Sequence, residues 1–305
     1  MSLLKPPRLA PGAIVGVAAL ASPVQEEFLA AGVAEIERLG FEPRLAASVY
    51  ARSRYTAGDR SARLRDFWAL WEDPKVAAVF CARGGYGTPQ LLSGLDSERL
   101  RSRPKILLGS SDVTALLLHF TRSGLVSFHG PMVAQQMARG VSSYDRESLV
   151  ETTTDPKPPE RPGRAPVQIL HPGAAEGTLV GGCLSLVASL VGTPFLPSFE
   201  DTVLFLEDTG VKPYQIDRLL TQLRLSGALA GVRGIVFGEM PGCEQAPGQG
   251  YGVTDVLTDL TADLGVPVAF GFPSGHTTSP AMTLPFGVLA RLSEGRLTLL
   301  EGAVT

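Results

Sequence analysis

The amino-acid sequence predicts an α/β protein, in which an open parallel sheet is followed by a smaller, β-rich α+β domain. Three observations carry this prediction. Continuous apolar runs alternate with amphipathic helical patterns over the first half of the chain, as is typical of a parallel sheet covered on both faces. Six prolines then fall between Thr154 and Pro172. Beyond them the pattern changes, and residues 287–301 read as a hairpin.

The first half of the chain alternates strands with helices. Residues 14–19 are apolar throughout, and the helical pattern at 24–39 ends at Gly40. Large apolar side chains at helical spacing mark the next helix, which Pro74 terminates. The predicted strands are 14–19, 43–46, 76–81 and 106–108, and the predicted helices are 24–39, 61–71 and 88–95. In such an open sheet, functional loops follow the carboxyl ends of the strands.

The proline-rich stretch 154–172 separates two predicted domains, residues 1–153 and 173–305. Because proline fixes φ and lacks an N–H, we expect no regular structure in this connection. The pattern at 179–191, which includes Gly181-Gly182, predicts a helix. The other elements predicted for the second domain are strands at 202–207, 234–238 and 266–271, a helix at 214–225, and a hairpin turn at 293–295.

Composition and charge argue against several classes of function. The 305 residues carry a formal net charge of −3, which gives no reason to expect nucleic acid or an anionic membrane as a partner. Three cysteines are too few and too scattered for a disulfide framework or a zinc site. We recognise no signal peptide, and no apolar run approaches the ~20 residues that a membrane span needs. We therefore expect a cytoplasmic protein without a metal.

Residues 106–113 are the most informative stretch. The apolar strand stops at Gly109, the residues Ser110, Ser111 and Asp112 follow, and a helical pattern resumes at Val113. Such a turn presents its side chain at a helix N-terminus, where free N–H groups favour developing negative charge. Serine hydrolases of the α/β type hold their nucleophile in this way, although the usual Gly-x-Ser-x-Gly spacing is absent here. Ser111 is therefore the candidate nucleophile, in an elbow of a different family.

A serine nucleophile needs a base within hydrogen-bond reach and a carboxylate that orients the base. His276, in a glycine-flanked loop after a strand, and His129, after another strand, are both candidates for the base. The histidines not expected to reach the nucleophile are His119 and His171. Glu207 ends a strand of five β-formers and is the candidate orienting carboxylate. A solvated charge at a strand end would have the same sequence pattern.

The loop Arg83-Gly84-Gly85-Tyr86-Gly87 directly follows the predicted strand 76–81. Its glycines let the backbone approach a substrate closely and turn N–H groups toward a developing oxyanion. A phosphate cradle is the competing interpretation. The loop is not Gly-x-Gly-x-x-Gly, however, and no Walker lysine follows it.

Together these motifs resemble the LD-carboxypeptidase family. They occur in the family's order and span residues 14 to about 290; they are Arg83-Gly-Gly-Tyr-Gly87, Gly109-Ser-Ser-Asp-x-Thr114, His129-Gly-Pro131, Phe205-Leu-Glu-Asp208, Pro213-Tyr214, Asp217-Arg218 and Gly275-His276. The resemblance implies a flavodoxin-like N-terminal domain and a smaller β-rich C-terminal domain. It also implies a cytoplasmic serine peptidase, commonly a homodimer and without metal or cofactor, that releases terminal D-alanine from murein tetrapeptide in peptidoglycan recycling.

The matching motifs imply a role for each site residue. Ser111 is the nucleophile, His276 the general base and Glu207 its orienting carboxylate. The backbone N–H groups of Gly85 and Asp112 form the oxyanion hole. The triad would then assemble across the interface between the two domains.

The chain also departs from the family's pattern. Ser110 replaces an aromatic residue before the nucleophile, Cys183 an asparagine after Gly-Gly, and Val211 a glutamate after Glu-Asp. These departures affect the expected substrate cleft more than the reaction. Arg83 and Tyr86 are candidate contacts for the substrate, since an L,D-peptide ends in a carboxylate that favours a cation.

Two other functions stay open at this point. One keeps the triad but hydrolyses a peptide–nucleotide amide, as the related microcin C self-immunity peptidases do. Those relatives tend to be longer, with an added loop that carries an aromatic residue near the site. The other is a binding or sensing protein without catalysis, which would need no complete set of nucleophile, base and carboxylate.

Overall fold

The computed structural model of the chain describes residues 3–159, 167–246 and 248–305. Strands in the described residues are β1 (Ile14–Ala18), β2 (Glu42–Leu45), β3 (Val76–Cys81), β4 (Ile106–Gly109), β5 (Ser127–His129), β6 (Gln168–His171), β7 (Ala174–Cys183), β8 (Thr202–Glu207), β9 (Gly234–Gly238), β10 (Val268–Phe272), β11 (Leu284–Phe286), β12 (Leu289–Ser293) and β13 (Arg296–Leu299). The α-helices are α1 (Glu26–Arg38), α2 (Arg60–Glu72), α3 (Ser97–Arg101), α4 (Thr114–Arg122), α5 (Arg146–Thr154), α6 (Leu184–Ser189), α7 (Pro213–Leu225) and α8 (Val253–Thr261).

The first sheet has the order β2-β1-β3-β4-β5-β11. Its first five strands are parallel, and β11 joins β5 in the antiparallel direction. The order of the five parallel strands is that of flavodoxin-like sheets, so the predicted fold of the first half is confirmed. Strands β3 and β4 are almost fully buried, as continuous apolar runs require when helices cover both faces.

The second sheet has the order β13-β12-β7-β8-β9-β10-β6. The four central strands β7 to β10 are parallel, whereas β6, β12 and β13 pair in the antiparallel direction. The sheet is therefore mixed, as expected, and the predicted hairpin is β12–β13. Strand β11 comes from the second half of the sequence but extends the first sheet. The division into domains at residues 153 and 173 stays a prediction.

The helix predicted at 179–191 is wrong over its first third. Residues up to Cys183 belong to strand β7, and helix α6 begins only at Leu184. The two glycines have φ values of 147° at Gly181 and 132° at Gly182. A Cβ at Gly181 would lie 1.8 Å from the carbonyl oxygen of Phe205 in β8. Gly181 thus allows a close approach to the neighbouring strand, and Gly182 allows one to Thr114 of α4, which is a different use of Gly-Gly from a helix start.

The proline-rich stretch also differs from its prediction. Its end forms strand β6 (Gln168–His171), which pairs with β10 at the edge of the second sheet. An edge strand tolerates nearby prolines because only one side of its backbone is paired. Residues 160–166, with Pro162 and Pro166, lie outside the described residues.

In the ranges that the structure describes, no helix is long and apolar enough to cross a bilayer.

Candidate active site

The candidate nucleophile lies in a tight turn between β4 and α4. The strand ends at Gly109, Ser111 begins a short 3₁₀ turn, and α4 starts at Thr114. Ser111 has a φ of 58°, a left-handed conformation that costs a non-glycine residue about 1–2 kcal/mol. Strain of this kind persists where the surrounding structure holds it, and nucleophile elbows have it. The tight turn predicted from the sequence is present, and Ser111 is only partly buried.

Asp112 connects the elbow to the glycine-rich loop. Its Oδ2 accepts a hydrogen bond from the Thr88 N–H at 2.8 Å, and its carbonyl oxygen accepts one from the Thr88 hydroxyl. Burial raises the pKa of Asp112, although hydrogen bonds from Thr88 and Gly87 and the charge of Arg63 oppose that rise. The sequence motif implied a role only for the backbone N–H of Asp112; this role of its side chain is visible only in the fold.

One glycine of the loop approaches the elbow closely, and the next approaches Ser22. A Cβ at Gly84 would lie 2.9 Å from Ser111 Cβ, 3.1 Å from its Oγ and 3.4 Å from the nitrogen of Asp112. At Gly85, φ is 108° and a Cβ would meet Ser22 Oγ at 2.3 Å. Among the hydrogen bonds between described residues, none uses the amides of Gly85 or Asp112, so both can serve an oxyanion. Gly84, which the sequence reasoning did not single out, is the glycine in contact with Ser111.

Glu207 and His276 form a buried acid–imidazole pair. Oε2 of Glu207 accepts hydrogen bonds from Nδ1 of His276 at 2.7 Å and from its backbone N–H at 3.0 Å. The close approach depends on Gly275, where φ is 75° and a Cβ would lie 2.6 Å from Glu207 Cδ. With its proton on Nδ1, the neutral ring presents Nε2 as the acceptor that a general base needs. Glu207 is 0% exposed, so its interpretation as a solvated charge is wrong.

Burial and pairing oppose each other in the pKa values of this pair. Burial raises the pKa of Glu207, but the hydrogen bond from His276 and the positive charge of the neighbouring imidazoles, His276 and His129, outweigh it and lower that pKa to about 2. Burial lowers the pKa of His276, but the hydrogen bond and charge of Glu207, with a further contribution from Asp208, raise it above its usual value. Glu207 is thus a carboxylate at neutral pH, ready to stabilise an imidazolium.

Two contacts bring the elbow to this pair. In the first sheet, Gly109 pairs with His129, whose ring approaches Glu207. From the start of α4, Thr114 Oγ1 accepts a hydrogen bond at 2.9 Å from the N–H of Cys183, and Cys183 pairs with Glu207 in the second sheet. The carboxyl ends of β4 and β8 therefore lie side by side. The elbow and the Glu207–His276 pair, which come from different sheets, are therefore near each other.

Ser111 and His276 are not hydrogen-bonded to each other within the described ranges. Such bonds are often long in an enzyme without substrate and shorten in the complex. His276 is the candidate base that a substrate can reach, since its side chain is 26% exposed, whereas His129 is 0% exposed. The choice that the sequence left open between the two histidines therefore favours His276.

The remaining candidates have structural contacts. Nε2 of His119 lies 3.0 Å from the Leu95 carbonyl oxygen, and Nε2 of His171 lies 3.0 Å from that of Thr258; neither contacts the elbow. Arg83 donates to the Pro23 carbonyl oxygen at 3.2 Å. The half-exposed ring of Tyr86 packs edge-on against another ring, that of Tyr55. A substrate contact by Arg83 or Tyr86 stays a prediction.

A cavity of about 370 Å³ adjoins His276. Its polar lining residues include Gln136, Arg139, Ser142, Thr209, Thr277 and Ser279. Of the described residues that line it, Arg139 supplies a guanidinium and none supplies a carboxylate. Hydroxyl, amide and guanidinium groups together favour an anionic, hydrogen-bonding ligand. Arg139 could not be identified from the sequence, because no motif marks it.

Gly84→Ala should impair the nucleophile without unfolding the protein. The backbone of Gly84 is not left-handed, so alanine is tolerated there, but its Cβ would crowd Ser111. We expect labelling of Ser111 by a fluorophosphonate probe to be slowed about 10- to 100-fold, since small displacements of reacting groups have effects of that size. The matched control is Gly252→Ala, where a Cβ meets only the Asp255 carboxylate, at 3.8 Å. Equal labelling rates in both variants would contradict the contact.

Two family models match the chain. The LD-carboxypeptidase N-terminal domain matches residues 15–130, and the LD-carboxypeptidase C-terminal domain matches residues 176–292. Together they cover more than half of the sequence. The first match includes the elbow and the glycine-rich loop, and the second includes Glu207 and His276.

Named relatives agree with these matches. A Streptomyces coelicolor protein that carries a carboxypeptidase name is 42% identical over 311 residues, which cover 97% of this chain and 96% of the relative. The murein tetrapeptide carboxypeptidase of Pseudomonas aeruginosa is 34% identical over 293 residues, with 93% and 94% covered. The Escherichia coli microcin C7 self-immunity protein MccF is 27% identical over 288 residues, with 84% and 83% covered.

A solved structure gives the same result. The muramoyltetrapeptide carboxypeptidase of Oxalobacter formigenes superposes with a TM-score of 0.85 at 31% identity, covering 95% of this chain and all of that one. The whole length of that chain is thus matched by this fold. This chain belongs to the LD-carboxypeptidase family of peptidases.

Proposed function

We propose that the chain is a serine LD-carboxypeptidase that releases the terminal D-alanine of a murein tetrapeptide by cleaving an L,D-peptide bond. Family membership and the murein tetrapeptide carboxypeptidase of P. aeruginosa support this reaction. The observation that carries it is the buried carboxylate of Glu207, which holds Nδ1 of His276 at 2.7 Å. A carboxylate in this position orients a histidine base and stabilises its imidazolium form. A binding protein needs neither.

In the proposed reaction, Ser111 Oγ attacks the carbonyl carbon of the L,D-peptide bond while Nε2 of His276 takes its proton. The tetrahedral oxyanion accepts hydrogen bonds from the N–H groups of Gly85 and Asp112, each of which is worth about 3–4 kcal/mol in the barrier. The imidazolium of His276, stabilised by Glu207, then gives its proton to the departing D-alanine amine. Water, activated by the same base, hydrolyses the acyl-enzyme and restores Ser111.

The cavity beside His276 is proposed to hold carboxylate groups of the substrate. Arg139 is exposed in that cavity and can form a bidentate pair with a carboxylate. Arg83 and Tyr86, in the glycine-rich loop, are proposed to contact the terminal carboxylate. We further propose a cytoplasmic homodimer that acts in peptidoglycan recycling, as the family resemblance implies.

Arg139→Gln should weaken binding more than chemistry. Glutamine keeps hydrogen-bonding capacity but loses the charge, so KM for the tetrapeptide should rise about 10-fold while kcat stays within threefold. Arg139→Lys should lie between the two, because lysine keeps the charge without the bidentate geometry. Steady-state kinetics at one pH measure both constants. A fall in kcat with unchanged KM would place Arg139 outside the binding site.

A second candidate is the hydrolysis of a peptide–nucleotide amide, supported by the MccF relative at 27% identity. Its chemistry would use the same nucleophile, base and carboxylate. The difference lies in the leaving group, which would be a nucleotide amide rather than a D-amino acid.

One experiment separates the two candidates. Purified protein is incubated with L-Ala-γ-D-Glu-meso-diaminopimelyl-D-Ala and, separately, with an aminoacyl sulfamoyl adenosine, and products are followed by mass spectrometry. Release of D-alanine at a kcat/KM at least tenfold above that for the nucleotide amide supports the carboxypeptidase. The opposite ratio supports the amide hydrolase. Turnover of neither compound by folded protein would contradict both.

A further inference from the structure

The histidine that the sequence offered as an alternative base contacts the other oxygen of Glu207. Nε2 of His129 lies 3.8 Å from Oε1 of Glu207, and both side chains are fully buried. The imidazole is stacked on Phe286 and lies edge-on to Phe205, with ring centroids 5.4 Å away in each case. Glu207 thus lies between two imidazoles, His276 at Oε2 and His129 at Oε1.

A serine hydroxyl fixes the proton on the far side of this ring. Ser274 Oγ donates to the Met282 carbonyl oxygen at 2.8 Å and lies 3.1 Å from Nδ1 of His129. Since a hydroxyl has one proton, and here it goes to the carbonyl, Oγ must accept a hydrogen bond from Nδ1. His129 therefore has a proton on Nδ1.

The charge on Nε2 follows from what surrounds it. Among the described residues, neither Nε2 of His129 nor Oε1 of Glu207 has a hydrogen-bond partner. If Nε2 had no proton, its lone pair would face a buried carboxylate, and two acceptors would be left unpaired. A second proton on the ring turns the same contact into a buried ion pair. We propose that His129 is an imidazolium that acts as the buried counter-ion of Glu207, and so as a positioning residue for His276.

This proposal rests on the proposed function for its consequence in catalysis. His276 has to be neutral before it can accept a proton from Ser111, so it cannot be the counter-ion of Glu207 in the resting enzyme. His129 can, and it balances a carboxylate that burial would otherwise penalise heavily. The positive charge of His129 also disfavours the imidazolium form of His276. His276 therefore stays neutral until it accepts the proton of Ser111.

In the described part of the chain, the titratable groups that face this pair come from β7, β8 and the loop after β10. Glu207 faces His129 from β8, and His276 reaches the same carboxylate from the loop after β10. Cys183, next to Glu207 in β7, has its pKa raised well above the usual value by burial and by the charges of Glu207 and Asp208, and is neutral. Asp208 accepts hydrogen bonds from the Ser185 N–H and hydroxyl.

The protonation state can be read directly in the folded full-length protein. With four histidines in the chain, ¹⁵N-histidine two-bond correlation spectra resolve each ring, and single His→Gln variants assign them. We expect both nitrogens of His129 to be protonated in the wild type at neutral pH. We also expect Nε2 to lose its proton in Glu207→Gln. A neutral ring with a proton on Nδ1 alone in the wild type would overturn the proposal, whatever the enzyme's substrate is.

A pH profile tests the effect on His276. His129→Gln keeps a side-chain donor but removes the charge, so the pKa of His276 should rise. The acidic limb of kcat/KM for D-alanine release should then move to higher pH by about one unit, as expected for a unit charge lost at this range. The matched control is His119→Gln, another buried histidine, whose profile should match that of the wild type. An unchanged limb in a folded His129→Gln enzyme would overturn the positioning role and leave the carboxypeptidase assignment intact.

Discussion

Ser111→Ala should abolish D-alanine release, with kcat falling about 10⁴- to 10⁶-fold, because no acyl-enzyme can form without the hydroxyl. The oxyanion donors and the Glu207–His276 pair stay in place, so substrate should still bind. The measurement is single-turnover release of D-alanine by mass spectrometry, together with tetrapeptide affinity by calorimetry. The matched control is Ser110→Ala, which removes the neighbouring, buried hydroxyl and should keep kcat within tenfold. Similar losses in both variants would contradict the assignment of the nucleophile.

The same position also gives a stability test. Ser111 has a left-handed φ of 58°, which glycine adopts without a steric penalty and alanine does not. Both variants are inactive, but Ser111→Gly should have a free energy of unfolding about 1 kcal/mol above that of Ser111→Ala. Urea denaturation measures the difference. An alanine variant as stable as the glycine variant would mean that the elbow relaxes once the serine is gone.

The fold could be predicted because its pattern is local. Strand β3 has the predicted bounds and α1 and α2 nearly so, since an apolar run or a 3.6-residue period marks each of them. The Gly181-Gly182 error had a long-range cause. Gly181 lies against the Phe205 carbonyl of the adjacent strand and Gly182 against the Thr114 side chain, and neither neighbour can be known from local sequence.

The site could be predicted where a residue lies at a strand end. Ser111, Glu207 and His276 all follow strands, and the carboxyl ends of parallel strands are where an open sheet forms its site. Gly84 and Arg139 were not found, because their roles depend on contacts between segments far apart in the sequence. His129 was identified from the sequence only as an alternative base, and its burial against Phe286 and Ser274 could not be predicted, since it depends on β11 joining the first sheet.

Glu207→Gln should have the second large effect, on activity and on acid stability. Glutamine has a similar shape, but it offers no charge to an imidazolium at His276. We therefore expect kcat to fall about 10³- to 10⁴-fold, as for the equivalent loss in other triads. The pKa of Glu207 is lowered from 4.5 to about 2 in the folded chain. Its contribution to stability is thus complete above pH 4.5 and is lost as the pH falls toward 2.

Unfolding of the wild type and of Glu207→Gln by urea between pH 7 and pH 2.5 measures that contribution. Over this range the free energy of unfolding should fall by about 2–4 kcal/mol more in the wild type than in the variant.

The matched control is Glu35→Gln, because Glu35 is also buried, and its pKa is lowered by Tyr144 and Arg146 against the effect of burial. The free energy of unfolding of that variant should also fall less steeply with acid than that of the wild type. Its kcat should stay within threefold, since Glu35 lies on α1 and does not touch His276. If both variants lost activity equally, the effect of Glu207→Gln would come from stability rather than from the base. A loss of activity in Glu207→Gln alone would instead show that His276 needs the charge of this carboxylate to act as the base.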